Sequence, residues 1–193
     1  MRRFSIFLLT SFSFFINPNE LSSIDIDEKH AKEYSKLRFE NYKKHEWKIN
    51  YEKTLNFIRE HEGFHNGLIY IDLSGHATIG YGHVVLPDQV FADTITKFQA
   101  DSLLKSDFNK ALKAVERFTN LEGNQKLAIA HFVYSKGVGA FSRSKLLKKI
   151  NAGKPIASEI LKWSHYRNRK GRLTRSEFSY QARLWELELY NSY

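Results

Sequence analysis

The sequence contains no cysteine, and this absence removes two classes of site. Disulfide bonds and thiolate metal sites are both excluded across its 193 residues. Export is not excluded, because a fold that needs no disulfide works in an oxidising or a reducing compartment. Apolar residues make up 42% of the chain and aromatic residues 15%, so we expect a substantial core rather than disorder. The length fits one domain, or one domain with a tail.

Acidic residues are too few to balance the basic ones. The chain has 30 lysines and arginines against 21 aspartates and glutamates, for a net charge of +9. This excess indicates either a solvated basic surface or attraction to a polyanion, such as nucleic acid or the bacterial wall. The most densely basic segment, His165 to Arg175, is predicted to be a loop, either simply solvated or in contact with an anionic polymer.

Long apolar runs are scarce, and the one that stands out is at the N terminus. Residues 1–16 read MRRFSIFLLTSFSFFI, two arginines before an apolar run that is too short for a comfortable membrane span. This is the pattern of a secretory signal, although no Ala-x-Ala cleavage site follows. We therefore predict that residues 1–19 are a signal peptide or an uncleaved signal anchor, the alternative being a buried strand or helix. The predicted location is outside the cytoplasm, periplasmic or secreted, with membrane contact only if the segment stays uncleaved.

The next segment, residues 20–50, is polar and charged. It is predicted to be a spacer, partly helical, that leads into the folded domain near Asn50. A docking helix is the alternative, because four apolar side chains could form a stripe: Tyr34, Leu37, Phe39 and Tyr42.

Helical patterns account for most of the remaining chain. They cover Tyr51 to His61, a stretch from Thr96 through Val115, Gln125 to Tyr134, Ser142 to Ile150, Ile156 to Trp163 and Ser176 to Tyr190. Thr96 and Gln99 form a capping-box pattern, and the helix that follows is either continuous or broken near Ser106. The Gln125 segment is apolar nearly all round, which predicts a buried central helix with His131 as a core histidine.

Glycine is also scarce, with 10 residues in the chain, yet half of them fall between Glu62 and His83. Alternating side chains between these glycines predict short antiparallel strands, with turns at Asn66-Gly67 and Ser74-Gly75. Glu62 falls at the end of the preceding helix, while Asp72 and Thr78 fall on the hairpin. A helix-end acid that faces a hairpin carboxylate across a cleft suits hydrolysis by two carboxylates.

This segment closely resembles the active-site segment of phage-type lysozymes, glycoside hydrolase family 24. The residues that carry the likeness are Glu62-Gly63 and Tyr70-x-Asp72-x-x-Gly75-x-x-Thr78-Ile79-Gly80-x-Gly82-His83. The resemblance extends from about Tyr51 to Tyr190, where Ala182-Arg183-x-x-Glu186 partly matches a family motif. It implies an α+β, mainly helical fold, with a small β-hairpin lobe packed on a helical lobe and the active-site cleft between them. Residues 51–193 would form the catalytic domain.

The resemblance also implies roles for individual residues. Glu62 would be the general acid, and Asp72 and Thr78 would hold the attacking water. Substrate-binding candidates are Tyr70, Gly80 and His83, and Arg183 is expected to pair with Glu62 and support the site. The implied reaction is inverting hydrolysis of the β-1,4 bond between N-acetylmuramic acid and N-acetylglucosamine in bacterial peptidoglycan. We expect a monomer that uses no cofactor or metal and binds no nucleic acid.

Three other interpretations use some of the same residues. His61-Glu62-x-x-His65 fits the H-E-x-x-H pattern of zinc proteases, but Gly63 interrupts the helix that must carry both ligands, and His76 or His83 would have to be the third ligand. A non-enzymatic module could bind nucleic acid through the segment from Tyr166 to Arg175. A degenerate lysozyme-like binder is disfavoured because both carboxylates and the threonine are present.

Overall fold

The computed structural model describes residues 28–72, 75–92, 94–167 and 170–192. The chain divides into two units, residues 1–45 and 46–193, and helix α1 (Glu28–Glu62) contributes to both. In the first unit residues 28–45 are helical and the side chains of residues 30–45 are exposed, including the predicted stripe of Tyr34, Leu37, Phe39 and Tyr42. The predicted signal in residues 1–19 lies outside the described residues.

The second unit is mainly helical and contains two small antiparallel sheets. After α1 the elements are β1 (Tyr70–Ile71), β2 (Ala77–Ile79), β3 (His83–Val84), α2 (Lys97–Phe118), α3 (Gly123–Lys136), α4 (Val138–Ser142), α5 (Lys145–Asn151), α6 (Ala157–Ile160), β4 (His165–Arg167), β5 (Leu173–Arg175) and α7 (Glu177–Asn191). A 3₁₀ turn, Leu161–Ser164, joins α6 to β4. The predicted α+β, mainly helical class is confirmed.

The core forms around α3, whose residues 127–133 are all buried. A helix that is apolar on every side must be enclosed by others, and α3 packs against both α2 and α7. Helix α2 is continuous through Ser106, which settles the question that the sequence left open. Its start is fixed as predicted: Thr96 accepts a hydrogen bond from the N–H of Gln99, whose side chain accepts one from the N–H of Thr96.

The first sheet is the predicted hairpin region, with strands in the order β1-β2-β3. Tyr70 lies opposite Thr78 across β1 and β2, and Thr78 lies opposite Val84 across β2 and β3. The N–H of Asp72 donates to the carbonyl of His76 at 2.9 Å and closes the turn between β1 and β2. Two residues of that predicted turn, Leu73 and Ser74, lie outside the described residues.

The second sheet corrects a prediction. The segment from His165 to Arg175 was expected to be a loop, but β4 and β5 pair in it as an antiparallel hairpin, with Tyr166 opposite Thr174. Basic residues on both strands conceal the alternation of apolar and polar residues that would identify a strand. Gly171, at φ +73°, supplies the left-handed conformation that a tight turn requires.

Within the part of the chain that the structure describes, no helix is both long enough and apolar enough to span a membrane.

The link between α1 and the first sheet is fixed at Gly67. Asn66 and Gly67 have φ +50° and +70°, and the N–H of Leu68 donates to the carbonyl of His65 at 3.2 Å, which confirms the predicted turn. The carbonyl of Gly67 accepts a hydrogen bond from the N–H of Ile95 at 2.9 Å. A Cβ atom on Gly67 would lie 2.1 Å from the carbonyl oxygen of Ile95, so only glycine fits.

We predict that Gly67→Ala lowers the free energy of unfolding by more than about 2 kcal/mol, because it combines left-handed backbone strain with overlap against backbone atoms. Gly153→Ala is the matched control, since Gly153 has φ +61° and no heavy atom within 4 Å of its Cβ position. The control introduces backbone strain without steric overlap, so it should lower the free energy of unfolding by a smaller amount. Urea unfolding of both variants measures the difference, and equal losses would contradict the steric argument.

Candidate active site

The carboxyl of Glu62 lies where the chain leaves α1. Gly63 follows at φ +74°, and its N–H donates to the carbonyl of Arg59 at 3.1 Å, an arrangement that ends helices at glycine. Glu62 is half-buried, and within the described ranges its carboxyl has no hydrogen bond or ion pair. The predicted position of Glu62 at a helix end is therefore confirmed.

Two opposing effects act on the acidity of Glu62. Burial is the larger and raises the pKa of its carboxyl, because the charged form loses hydration. The positive charges of His131, Lys136 and Arg183 lower that pKa without cancelling the effect of burial. The result is a carboxyl that keeps its proton to a higher pH than an exposed glutamate does.

Asp72 is held by the turn that follows β1. Its Oδ1 accepts a hydrogen bond from the N–H of His76 at 2.8 Å, and its own N–H donates to the carbonyl of the same residue. Its Oδ2 lies 3.6 Å from Nδ1 of His76. The carbonyl of Asp72 also accepts a hydrogen bond from the N–H of Gly75 at 3.0 Å, so contacts within the turn hold both its backbone and its carboxylate.

Thr78 lies on β2, and only 2% of its surface is exposed. Its hydroxyl donates a hydrogen bond to the carbonyl of His76 at 3.1 Å. Because the hydroxyl has a single proton, its oxygen can only accept a hydrogen bond from any further partner. In this position Thr78 supports the same turn that carries Asp72. Its predicted role in holding the attacking water stays a prediction.

Tyr70 lies on β1, opposite Thr78 of β2. It is half-buried, and its ring lies 4.4 Å from that of His65. Burial raises the pKa of Tyr70, and the negative charges of Glu62 and Asp72 raise it further, because a phenolate forms less readily beside carboxylates. Both carboxylates therefore lie within electrostatic range of one tyrosine.

Two residues of α3, Tyr134 and Lys136, interact electrostatically with Glu62. The sequence did not indicate either of them. The hydroxyl of Tyr134 donates to the carbonyl of Tyr81 at 2.7 Å, and burial, followed by the charge of Glu62, raises the pKa of Tyr134. Lys136 is half-buried, and burial lowers the pKa of its ammonium group. The sequence pattern identified α3 as buried but contained no signal for which residues near its C-terminal end face Glu62.

Arg183 does not form the predicted ion pair. It is fully buried, and its guanidinium donates to both carboxylate oxygens of Glu186, one turn along α7, at 2.5 Å. The expected direct contact with Glu62 was therefore wrong, because a carboxylate within the same helix satisfies the fork of the guanidinium. The charge of Arg183 still acts on Glu62 by lowering the pKa of that carboxyl.

Two predicted substrate-binding residues have structural positions instead. His83 is buried, and its ring nitrogens contact Asp107 at 2.5 Å and Gln89 at 3.0 Å, so neither nitrogen is left for a substrate. Gly80 is buried at φ +65°, and a Cβ atom there would lie 3.1 Å from the Cβ of Ala100. These two residues pack the sheet against its surroundings, whereas Tyr70 remains a candidate for substrate contact.

The zinc-protease interpretation requires both histidines of the motif on one helix. Helix α1 ends at Glu62, so His65 lies beyond it and contacts Tyr70 instead. His61 lies between the rings of Phe57 and Phe178, at 5.3 and 3.7 Å, and burial lowers its pKa to about 4. Among the described residues, no three histidine, aspartate or glutamate side chains form a group that could hold a metal ion.

The His83–Asp107 pair predicts a pH dependence of stability. The hydrogen bond that the His83 imidazole donates to Asp107 raises the pKa of His83. Burial acts to raise the pKa of Asp107, but the hydrogen bonds from His83 and Lys110 outweigh it and lower that pKa. The stabilisation is thus complete below the ordinary histidine pKa of about 6.5, provided that Asp107 is ionised, and it is lost as pH rises through the raised value of His83.

We expect Asp107→Asn to lower the free energy of unfolding by about 2 kcal/mol at pH 6, and by less at pH 9, where the imidazole is neutral. Urea unfolding at the two pH values gives both differences. Lys110→Gln is the control, since it removes the exposed second partner of Asp107 and should cost little at either pH. A loss from Asp107→Asn that is equal at pH 6 and pH 9 would contradict a charged pair.

Comparison with known proteins agrees with this geometry. The sequence model of the family described as "Phage lysozyme" matches residues 59–177. An endolysin of Acyrthosiphon pisum secondary endosymbiont phage 1 is 36% identical over 117 residues, which cover 58% of this chain and 78% of that protein. A SAR-endolysin of Escherichia phage Mu is 38% identical over 86 residues, which cover 44% of this chain and 49% of that protein.

A solved structure, that of an endolysin from Escherichia coli O157:H7 phage FAHEc1, has the same fold. It superposes with a TM-score of 0.60 at 27% sequence identity, and the match covers 72% of this chain and 90% of that one. The family match spans most of the second unit, from the last turn of α1 to the start of α7. The chain therefore belongs to the phage lysozyme family and is a peptidoglycan-hydrolysing enzyme.

Proposed function

We propose that the enzyme cleaves the β-1,4 bond between N-acetylmuramic acid and N-acetylglucosamine in bacterial peptidoglycan. Glu62 is the general acid, and Asp72 and Thr78 hold the attacking water. The observation that best supports this proposal is the position of Tyr70, which lies opposite Thr78 in the sheet and whose pKa is raised by the charges of both Glu62 and Asp72.

Glu62 has the properties that a proton donor needs. Cleavage of a glycosidic bond requires a proton on the leaving oxygen, and the donor must still carry that proton near neutral pH. Burial raises the pKa of Glu62 in the required direction. Because its carboxyl has no hydrogen bond within the described part of the chain, it is available to a sugar oxygen.

Asp72 supplies the second carboxylate on the other side of the sugar. The N–H of His76 donates to its Oδ1, and this bond orients the carboxylate, which is what the activation of a single water molecule requires. A carboxylate that acts through water, rather than by direct attack, gives inversion at the anomeric carbon. We therefore propose an inverting mechanism, with the lone pairs of Thr78 accepting from the same water.

Action at the wall fits the charge of the chain, since a net charge of +9 favours approach to an anionic polymer. We propose that the protein reaches this substrate by export, with residues 1–19 as signal peptide or signal anchor, and that it acts as a monomer. No cofactor has a part in the proposed chemistry, and Arg183 supports the site through its charge.

We expect Glu62→Gln to reduce hydrolysis of purified peptidoglycan by about 100-fold or more, since loss of a general acid typically costs 10²–10⁴-fold, while the melting temperature stays close to that of the wild type. Mass spectrometry of the released muropeptides measures turnover and identifies the bond that is cut. Glu60→Gln is the matched control, because Glu60 is exposed on the same turn of α1 and should retain activity. An active Glu62→Gln variant would refute the assignment of the acid.

The stereochemical prediction is tested on the product. Proton NMR recorded immediately after cleavage of a soluble glycan strand should show the α-anomer at the new reducing end, before mutarotation mixes the two forms. Asp72→Asn should greatly reduce the rate without changing that anomer. Initial release of the β-anomer would indicate retention and would exclude Asp72 as a residue that only holds water.

A further inference from the structure

The β4–β5 hairpin turns both of its faces to solvent. Directly opposite residues of an antiparallel pair share a face, so Arg167 and Leu173 lie on one side of the hairpin, and Tyr166 and Thr174 lie on the other. Leu173 is 66% exposed and Tyr166 is 52% exposed. Antiparallel sheets commonly pack one face on the core, whereas apolar side chains on both sides of this hairpin meet water.

The charge of the hairpin has a single sign. Residues 165–175 contain no aspartate or glutamate. The described basic side chains are all exposed and occur on both strands and in the turn between them: Arg167, Lys170, Arg172 and Arg175. A projecting surface of one charge attracts a partner of the opposite charge. The partner of this surface is therefore anionic.

The described part of the hairpin is tied to the body of the domain. At its base, the N–H of Ser176 donates to the carbonyl of Ser164 at 2.8 Å. The guanidinium of Arg175 lies 4.2 Å from the ring centroid of Tyr180 and pairs with Glu177 at 3.2 Å, both on α7. Because these contacts hold the surface in place before a partner arrives, binding costs less ordering entropy.

The exposed apolar side chains decide between two kinds of anionic partner. A soluble polyanion offers phosphates to the basic residues but nothing apolar to Leu173. A phospholipid surface offers both, because its phosphates lie directly above the acyl boundary. Tyrosine, with an apolar ring and a polar hydroxyl, is also enriched at that boundary. The combination of Tyr166, Leu173 and the basic residues therefore fits a lipid surface better than a dissolved polymer.

We propose that the β4–β5 hairpin docks the second unit on an anionic phospholipid surface. Arg167, Lys170 and Arg172 contact the headgroup phosphates, and Leu173 and Tyr166 enter the boundary between headgroups and acyl chains. This contact is separate from the proposed chemistry, since no hairpin residue takes part in hydrolysis. It holds the enzyme at the membrane side of the wall, whatever the fate of residues 1–19.

The test places a reporter on the hairpin itself. Because the chain contains no cysteine, Leu173→Cys gives the full-length protein one position for an environment-sensitive NBD label. The labelled protein is titrated with vesicles of phosphatidylcholine alone and of phosphatidylcholine mixed with phosphatidylglycerol. Emission should shift to the blue only on the mixed vesicles, and high salt should reverse the shift.

A charge variant of the labelled protein measures the electrostatic part of binding. Arg167→Gln combined with Arg172→Gln should lower the partition coefficient on the mixed vesicles by about 25-fold, since each basic side chain near an anionic surface contributes about fivefold. Lys105→Gln combined with Lys113→Gln is the matched control, because it removes the same charge from exposed positions on α2. This control should leave the partition coefficient nearly unchanged.

A second reporter shows which surface meets the lipid. A label on Lys113→Cys should keep its emission in water on every vesicle. Equal shifts at positions 113 and 173, or a shift at 173 on phosphatidylcholine alone, would contradict docking through a basic hairpin. Vesicle binding that leaves the label at 173 in water would show that another segment, such as residues 1–19, makes the contact, and would overturn the proposal.

A soluble polyanion is the remaining outcome. The anisotropy of the label at 173 is therefore also followed with inorganic polyphosphate and with single-stranded DNA. Binding to either polymer without a blue shift on mixed vesicles would assign the hairpin to a dissolved polyanion and refute the lipid surface. None of these results bears on Glu62, whose role is tested separately by the hydrolysis of peptidoglycan.

Discussion

The proposed chemistry depends on the carboxyl group of Glu62, on whose pKa burial and nearby positive charge act in opposite directions. Burial at the end of α1 favours the protonated form of Glu62, and basic side chains from α3 and α7 favour the ionised form. Neither influence alone gives a good general acid: full burial produces a proton that is not released, and strong ion pairing produces a carboxylate with nothing to donate. The fold brings both influences to the same atom group from different parts of the chain.

The two carboxylates are held in different ways. The hairpin holds Asp72 through short-range contacts that include hydrogen bonds with His76 and Gly75. The pKa of Glu62, in contrast, is shifted by residues that are remote in sequence, such as His131 and Arg183. A local turn can fix a carboxylate that needs only orientation, whereas setting the acidity of a buried group requires charges that only tertiary packing can supply.

Local signals made the hairpin and the helix ends predictable from the sequence. Gly63 and Gly67 take the left-handed conformations that glycine favours, and Thr96 forms its capping box with a residue three positions on. Longer-range features were not accessible in this way. The sequence suggested Glu62 as the partner of Arg183, but nothing in it ranked Glu186 above that choice. The β4–β5 hairpin was missed because its strands lack an apolar face.

Aromatic packing between α1 and α7 sets the order in which parts of the fold can form. The rings of Trp185, Phe57, His61 and Phe178 stack in sequence, with centroid separations of 4.1, 5.3 and 3.7 Å, and so join α1 to α7. During synthesis on the ribosome, α1 and the hairpin emerge long before α7 does. A nascent chain therefore lacks two rings of this stack, Trp185 and Phe178, and the buried guanidinium of Arg183, so the packing between α1 and α7 forms only after the final helix has been synthesised.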